Sequence, residues 1–398
     1  MSILETRDLC VGYEGKIVVD NVQIEGERGM ILCLLGPNGA GKTTILRTLS
    51  GLLSSVKGKV YIKGNELSNI DNKDLAKDLS VVLTKKFDGG LMTAFEVASM
   101  GRYPHTDFFG KLTETDIKKT IEALETVNAA NLTHRYFDEL SDGEKQKILI
   151  ARALVQEPEI IILDEPTSHL DIKHRLELVD ILKRLSKEKG ISVILSLHEI
   201  DIALKSCDKV VLINKNKVIA YGTPEEVVNE DIIKELYTID DANFNNLLGT
   251  IELSNFSVPE VFVIGGAGAG ASVYRILTKS QIGFATGIIH ENDVDYEIAR
   301  TMGVHIESEK PFVKINENNV SKCKKLIQTS NIIIDTDYPI GDINKKNIDL
   351  TKYALDMGKK VLSLRTKEDI NNIYKDKAKN IIHSQGFSHI VEEITKYT

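Results

Sequence analysis

Residues 36 to 43 read Gly36-Pro37-Asn38-Gly39-Ala40-Gly41-Lys42-Thr43, with Thr44 next. Glycines at this spacing let successive backbone N–H groups turn inward around phosphate oxygens, and a helix that follows points its positive end at the same anion. Lys42 is expected to reach the β- and γ-phosphates of a nucleoside triphosphate, and the Thr43 hydroxyl to ligate Mg²⁺. A second cluster stands at Ile160-Ile161-Ile162-Leu163-Asp164-Glu165. Its apolar run predicts a buried strand, so Asp164 emerges at the carboxyl end, near the phosphate loop. From there Asp164 can hold Mg²⁺ through a water, while Glu165 orients and deprotonates an attacking water.

These groups need a parallel sheet and helices to hold them. Apolar runs predict strands over 30–35, 160–163 and 193–197, with helices over 43–49 and Ile172–Lys187. Helical periodicity marks 116–127 and 144–154 inside a mostly helical stretch, and a strand pair over 209–213 and 217–220 precedes a helix ending near Tyr237. The polar, Asn-rich residues 241–258 are expected to be a linker between a domain over 1–240 and a second over 259–398. Pro259 opens a fresh β-α-β series: strand 261–264, helix 271–278, strand 284–290, then strands 331–335 and 360–364. Gly266-x-Gly268-x-x-Ala271 fits a relaxed dinucleotide fingerprint, and Glu291 follows the second strand about where a ribose-binding acid belongs.

At 398 residues two domains are expected, and the composition is that of a folded globular protein. A net charge of −8 argues against a general nucleic-acid binder, which needs a basic surface. No stretch approaches the ~18 apolar residues of a membrane span. The start, Met1 to Asp8, carries acids where a signal peptide needs bases and then apolar residues, so a cytosolic chain is expected. Cys10, Cys33, Cys207 and Cys323 lack paired spacing and are expected to be buried, reduced thiols.

Between the two phosphate-handling motifs lies Leu140-Ser141-Asp142-Gly143-Glu144. This order resembles the signature motif of the ABC ATPases. Tyr13 stands where that family stacks a ring on adenine. Pro166-Thr167 continues the family's wording, Ser168-His169-Leu170-Asp171 looks like its D-loop, and His198 looks like its γ-phosphate switch histidine. The resemblance covers about residues 1–240. It implies an α/β fold, an ABC-type P-loop NTPase domain with a helical subdomain over about 85–155; the strand and glycine turn after Pro259 predict that a smaller Rossmann-like α/β domain of regulatory or ligand-binding type follows. The resemblance also implies ATP as substrate, with Asp171 among the ATP-binding residues, and a head-to-tail homodimer in which Ser141 and Gly143 contact the partner's nucleotide.

Two positions depart from the family pattern. Asp142 replaces the usual glycine, and Thr84 stands where a Q-loop glutamine would meet Mg²⁺. Met100-Gly101-Arg102-Tyr103-Pro104-His105 resembles the ATPases of importers for iron–siderophores, haem and vitamin B12. That resemblance implies a peripheral subunit on the cytoplasmic face of the membrane. It would grip a permease dimer through residues 84–105, with an extracellular substrate-binding protein engaged indirectly. A soluble ABC ATPase with its second domain as nucleotide sensor is the competing reading. Fused archaeal cobalamin-type ATPases look similar, which tilts the cargo toward cobalamin.

Overall fold

A computed structural model describes residues 2–83, 87–107, 110–238 and 240–396. Strands Lys209–Asn214, Ile31–Leu35, Ser192–Leu197, Ile160–Leu163 and Leu79–Val82 lie side by side in that order, each neighbouring pair parallel. Nearly every residue in them is buried, because helices cover both faces. Each fully buried Leu, Ile or Val adds about 1.5–3 kcal/mol over its exposed state, so these apolar runs outweigh any local propensity. An antiparallel wing, built on Ser2–Tyr13 with Lys16–Val22 and Lys57–Ile62, joins the sheet through Lys217–Gly222.

Between the strands at one edge the chain forms a helical part: Ala94–Ser99, Glu114–Thr126 and Asp142–Val155. Each helix opens with a reciprocal cap, Thr93 with Glu96, Thr113 with Asp116 and Ser141 with Glu144. The segment Met100–His105 is a 3₁₀ turn with Pro104 inside it. Arg102 there is buried, its Nε donating to Asp116 Oδ1 at 2.7 Å and its Nη1 to the Val155 carbonyl at 2.8 Å. A methyl group on Gly101 would lie 2.0 Å from the Arg152 carbonyl oxygen, so close backbone approach requires glycine.

The bonds from the Thr113 hydroxyl and backbone, with Arg102 adding to them, hold the Asp116 carboxyl down at about 2, against an ordinary 3.8. A depressed folded-state value contributes stability that is present above pH ~4 and lost as the pH falls toward 2. Thr113→Val removes the largest of these contributions and should cost about 1–2 kcal/mol. In an acid titration followed by circular dichroism, its unfolding midpoint should move to higher pH than that of the parent.

The chain divides into two contact units, Met1–Thr238 and Ile239–Thr398. In the second, six parallel strands stand in the order His305–Glu309, Phe284–His290, Val261–Ile264, Ile332–Asp335, Lys360–Ser363, Ile381–His383. Numbered within the unit this is 3-2-1-4-5-6, the order of doubly wound dinucleotide-binding sheets. The first and last of these strands carry too little apolar pattern to be expected from sequence. The expected linker at 241–258 needs correction. Ala242–Asn245 and Thr250–Leu253 form an antiparallel hairpin that belongs to the second unit. The asparagines that suggested a solvated tether instead bond inward: Asn245 Nδ2 to Thr301 Oγ1 at 2.8 Å, Asn255 Nδ2 to the Ile282 carbonyl at 2.9 Å. Glu252, buried, pairs with Arg275. Among the described residues no helix is long and apolar enough to cross a membrane. All four cysteines are free, with Cys10, Cys33 and Cys323 buried and Cys207 partly so.

Candidate functional site

Strand Ile31–Leu35 delivers the chain into the loop Gly36 to Gly41, and helix Lys42–Leu49 starts directly from Gly41. Gly41 has φ 102°, and a methyl there would meet Val19 Cγ2 at 2.3 Å, so both conformation and space demand glycine. Pro37, Asn38, Gly39 and Ala40 span the rest of the loop, closed by an Ala40 N–H to Pro37 carbonyl bond of 3.2 Å. Lys42 is buried, with Nζ donating to the carbonyls of Gly36 at 2.7 Å and Pro37 at 3.1 Å. Burial lowers its pKa, and the carboxylates of Glu165 and Asp164 act in the opposite sense. Its ammonium is thus set at the mouth of the loop, tied to carbonyls that a phosphate oxygen would outbid.

Thr43 Oγ1 donates to both carboxylate oxygens of Asp164 at 3.0 Å. A hydroxyl and a carboxylate at that spacing, few in number and both hard oxygen donors, fit Mg²⁺, which takes most of its remaining ligands from nucleotide and water. Glu165 turns away from the strand at φ 49°. Its Oε1 lies 2.7 Å from His198 Nε2, and Ser168 Oγ donates to Oε2 at 3.3 Å. Glu165, the Thr43–Asp164 pair and His198 therefore converge on one end of the parallel sheet.

Sequence reading missed the residue that sets this convergence. Ser196, fully buried on strand Ser192–Leu197, donates through Oγ to Asp164 Oδ1 at 2.9 Å and accepts the Glu165 N–H at 2.8 Å. One hydroxyl thereby orients the carboxylate of Asp164 and the backbone of Glu165. Its signal was present, a lone polar residue inside the apolar run 193–197.

Other expected residues lie further out. Tyr13, 43 % exposed, ends strand Ser2–Tyr13, and its OH accepts from Thr44 Oγ1 at 3.5 Å. Ser141 caps the signature helix, trading bonds with Glu144: its N–H donates to Glu144 Oε2 at 2.9 Å and its Oγ accepts the Glu144 N–H at 3.3 Å. Burdened with that cap, Ser141 can meet an anion only by sharing its hydroxyl. Gly143 is buried beneath the His174 ring. Asp171 caps helix Ile172–Lys187 through the His174 N–H at 2.8 Å. Asp142 borders a cleft of about 340 Å³ that Asp164, Glu165 and His169 also line. The Q-loop position, Thr84, lies outside the described residues.

In the second unit the amides of the glycine loop are bonded by two carboxylates. Asp295 Oδ2 accepts the N–H groups of Gly266 at 2.8 Å and Gly270 at 2.7 Å, and Oδ1 that of Ala271 at 2.9 Å. Asp293 Oδ2 takes the Ala267 N–H at 2.6 Å. Burial raises the Asp295 pKa against the pull of those amides. The amides that would cradle a pyrophosphate are thus held by the protein's own carboxylates, and a second anion there would meet their charge. A methyl on Gly270 would sit 2.5 Å from the Tyr274 hydroxyl, so that glycine answers to packing. Glu291, exposed, accepts from Ser308 Oγ at 3.2 Å. The loop of Gly266, Gly268 and Ala271 is thus capped by Asp293 and Asp295, while Glu291 bonds Ser308.

Comparison with known proteins agrees with the first unit's geometry. Residues 19–168 match the ABC transporter family, and residues 284–394 match the MJ0874 family. An uncharacterized ABC transporter ATP-binding protein of Methanocaldococcus jannaschii is 47 % identical over 287 residues, 72 % of this chain and 99 % of its own. The iron(3+)-hydroxamate import ATP-binding protein of Bacillus subtilis is 38 % identical, covering 60 % of this chain and 89 % of its own. The cobalamin import ATP-binding protein of Halobacterium salinarum is 28 % identical over 330 residues, 81 % of this chain and 82 % of its own. Among solved structures, a Clostridium perfringens protein that is part of an ABC transporter complex superposes with TM-score 0.52 at 29 % identity, covering 59 % of this chain and 93 % of that one. With the phosphate loop, acidic strand and signature helix in this arrangement, the chain belongs to the ATP-binding proteins of ABC transporters, related to importer ATPases for iron chelates and vitamin B12, and is an ATP hydrolase.

Proposed function

We propose that the chain powers an ABC importer, for cobalamin rather than an iron chelate, by ATP-driven closure of a homodimer at the cytoplasmic face of the membrane. The observation that carries the motor reading is a division of labour within one chain. Lys42, Thr43, Asp164, Glu165 and His198 gather at one end of the sheet, while Ser141 and Asp171 stand exposed on other elements. In this reading ATP bound by Lys42 and Mg²⁺ meets Ser141, Gly143 and Asp171 of a second copy. Thr43 and Asp164 would hold Mg²⁺, which would supply charge neutralisation on the phosphates. Glu165 takes the proton of the attacking water, and His198 holds Glu165 in line.

Membrane coupling is assigned to the helical part. Leu91, Met100 and Tyr103 are 89 %, 47 % and 77 % exposed, three large apolar side chains within the segment expected to grip a permease. Buried Arg102 and Gly101 hold the turn that presents Tyr103. Alignment reach supports the cobalamin reading: the cobalamin-import relative aligns over 330 residues, which extends past a first unit ending at Thr238, whereas the hydroxamate relative aligns over 241.

The test is uptake by vesicles holding this chain with its permease and binding protein. ATP-dependent accumulation of cobalamin supports the reading; accumulation of a ferric hydroxamate alone overturns the cargo. Tyr103→Glu should lower permease-stimulated ATP hydrolysis at least tenfold, on the order of the 1–2 kcal/mol that one buried interface aromatic supplies. The same variant should leave hydrolysis by the isolated chain within twofold.

A further inference from the structure

Helix Ile172–Lys187 carries a side chain with no part in the chemistry above. A methyl on Gly143 would fall 2.5 Å from His174 Cγ, 2.6 Å from Cδ2 and 2.9 Å from Cβ. No real contact is that short, so the imidazole lies flush against the backbone of the signature turn. Its other side faces the D-loop, with Nδ1 2.9 Å from Asp171 Oδ1, the same oxygen that accepts the His174 N–H. The ring thus fills the space between two segments far apart in sequence.

Both segments need such support. Asp171 is 65 % exposed and the Ser141 cap is exposed, so neither is fixed by a surrounding core. Further along, Lys147 and Glu177 pair at 2.5 Å between the same two helices, and Arg135 reaches Glu144 at 3.3 Å. Those ion pairs are partly solvated and supply little rigidity. A planar ring against backbone, with one nitrogen bonded to the neighbouring turn, restricts separation and orientation together.

We propose that His174 is a positioning residue that locks the signature turn at Ser141 and Gly143 to the Asp171 turn, so that one subunit presents both to its partner's nucleotide as a single rigid jaw. This rests on the shared-site reading of the dimer. It also gives Gly143 a second requirement besides any phosphate contact, since any larger residue would drive the ring off the turn. A 1 Å misplacement of such groups costs on the order of 10²-fold in rate, so loss of the wedge should register in turnover.

The experiment uses the full chain carrying Glu165→Gln, Mg-ATP, and size-exclusion chromatography with light scattering. If this parent stays monomeric, the shared-site reading fails whatever His174 does. If it dimerises, adding His174→Ala should weaken the dimer at least tenfold, while binding of a fluorescent ATP analogue to monomer stays within twofold. In the otherwise native chain, His174→Ala should lower kcat about tenfold with KM within twofold. His174→Asn, whose amide nitrogen can still reach Asp171, should recover part of that loss, and it keeps the test valid if the alanine variant unfolds. Gly143→Ala should cost less in the His174→Ala background than in the native one. Equal cost in both backgrounds, or an unchanged dimer with normal kcat, would overturn the proposal and leave His174 as a helix-capping neighbour only.

Discussion

Glu165→Gln should abolish turnover, by 10²–10⁴-fold, while leaving ATP bound and holding two copies of the chain together. The substitution is nearly isosteric, so Ser168 and His198 keep a polar partner where they now contact the carboxylate at 3.3 and 2.7 Å. It removes the one thing an amide cannot do, which is to take a proton from water, and a positioned base is worth about that range in rate. It also removes a negative charge that faces the buried Lys42 and, in the proposed complex, the triphosphate. Binding should therefore tighten as chemistry stops. Light scattering with Mg-ATP should report a mass twice that of the chain. A variant that hydrolyses ATP at more than a tenth of the native rate would remove Glu165 from the role of base. A monomer with bound ATP would leave the base intact and refute the shared site.

How much of this was legible beforehand follows from what each residue's neighbours are. The phosphate loop and the strand before Asp164 could be read because local pattern and tertiary role coincide: an apolar run is buried, and glycines open a helix. Less could be read at Gly266 to Ala271. There the local pattern matches a dinucleotide cradle, but the residues that decide its use, Asp293 and Asp295, arrive from the next helix and take the amides first. Asparagines at 241–258 misled for a related reason, since composition marks them as solvated while their amides satisfy carbonyls and hydroxyls within the second unit. Ser196 stood out as a lone polar residue in an apolar run, but its partners, like those of His174, are supplied across the fold. Polar residues are thus read well when their partners are local and poorly when the partner is supplied by topology.

Lys42→Met should weaken ATP binding at least 100-fold, about 3 kcal/mol, without unfolding the chain. The size follows from removing a buried ammonium aimed at phosphate, since truncating one partner of a desolvated charge pair costs about 2–5 kcal/mol. The fold should tolerate the change because Lys42 is 4 % exposed and its hydrogen bonds go to the carbonyls of Gly36 and Pro37, while burial already works against its charge. A methionine of similar volume relieves that desolvation and keeps contacts along the stem. Two opposed consequences then separate binding from stability. Without nucleotide, the variant's melting temperature should equal or exceed that of the parent. With Mg-ATP at 100 times the parent's dissociation constant, the parent gains about 2.7 kcal/mol from ligand binding, whereas the variant gains less than about 0.5. Thermal melts of both chains, with and without Mg-ATP, read these values directly. A variant that melts well below the parent without nucleotide would assign Lys42 a structural role through Asp164 and Glu165. In that case the carboxylates, and not the phosphate, would be its main partners.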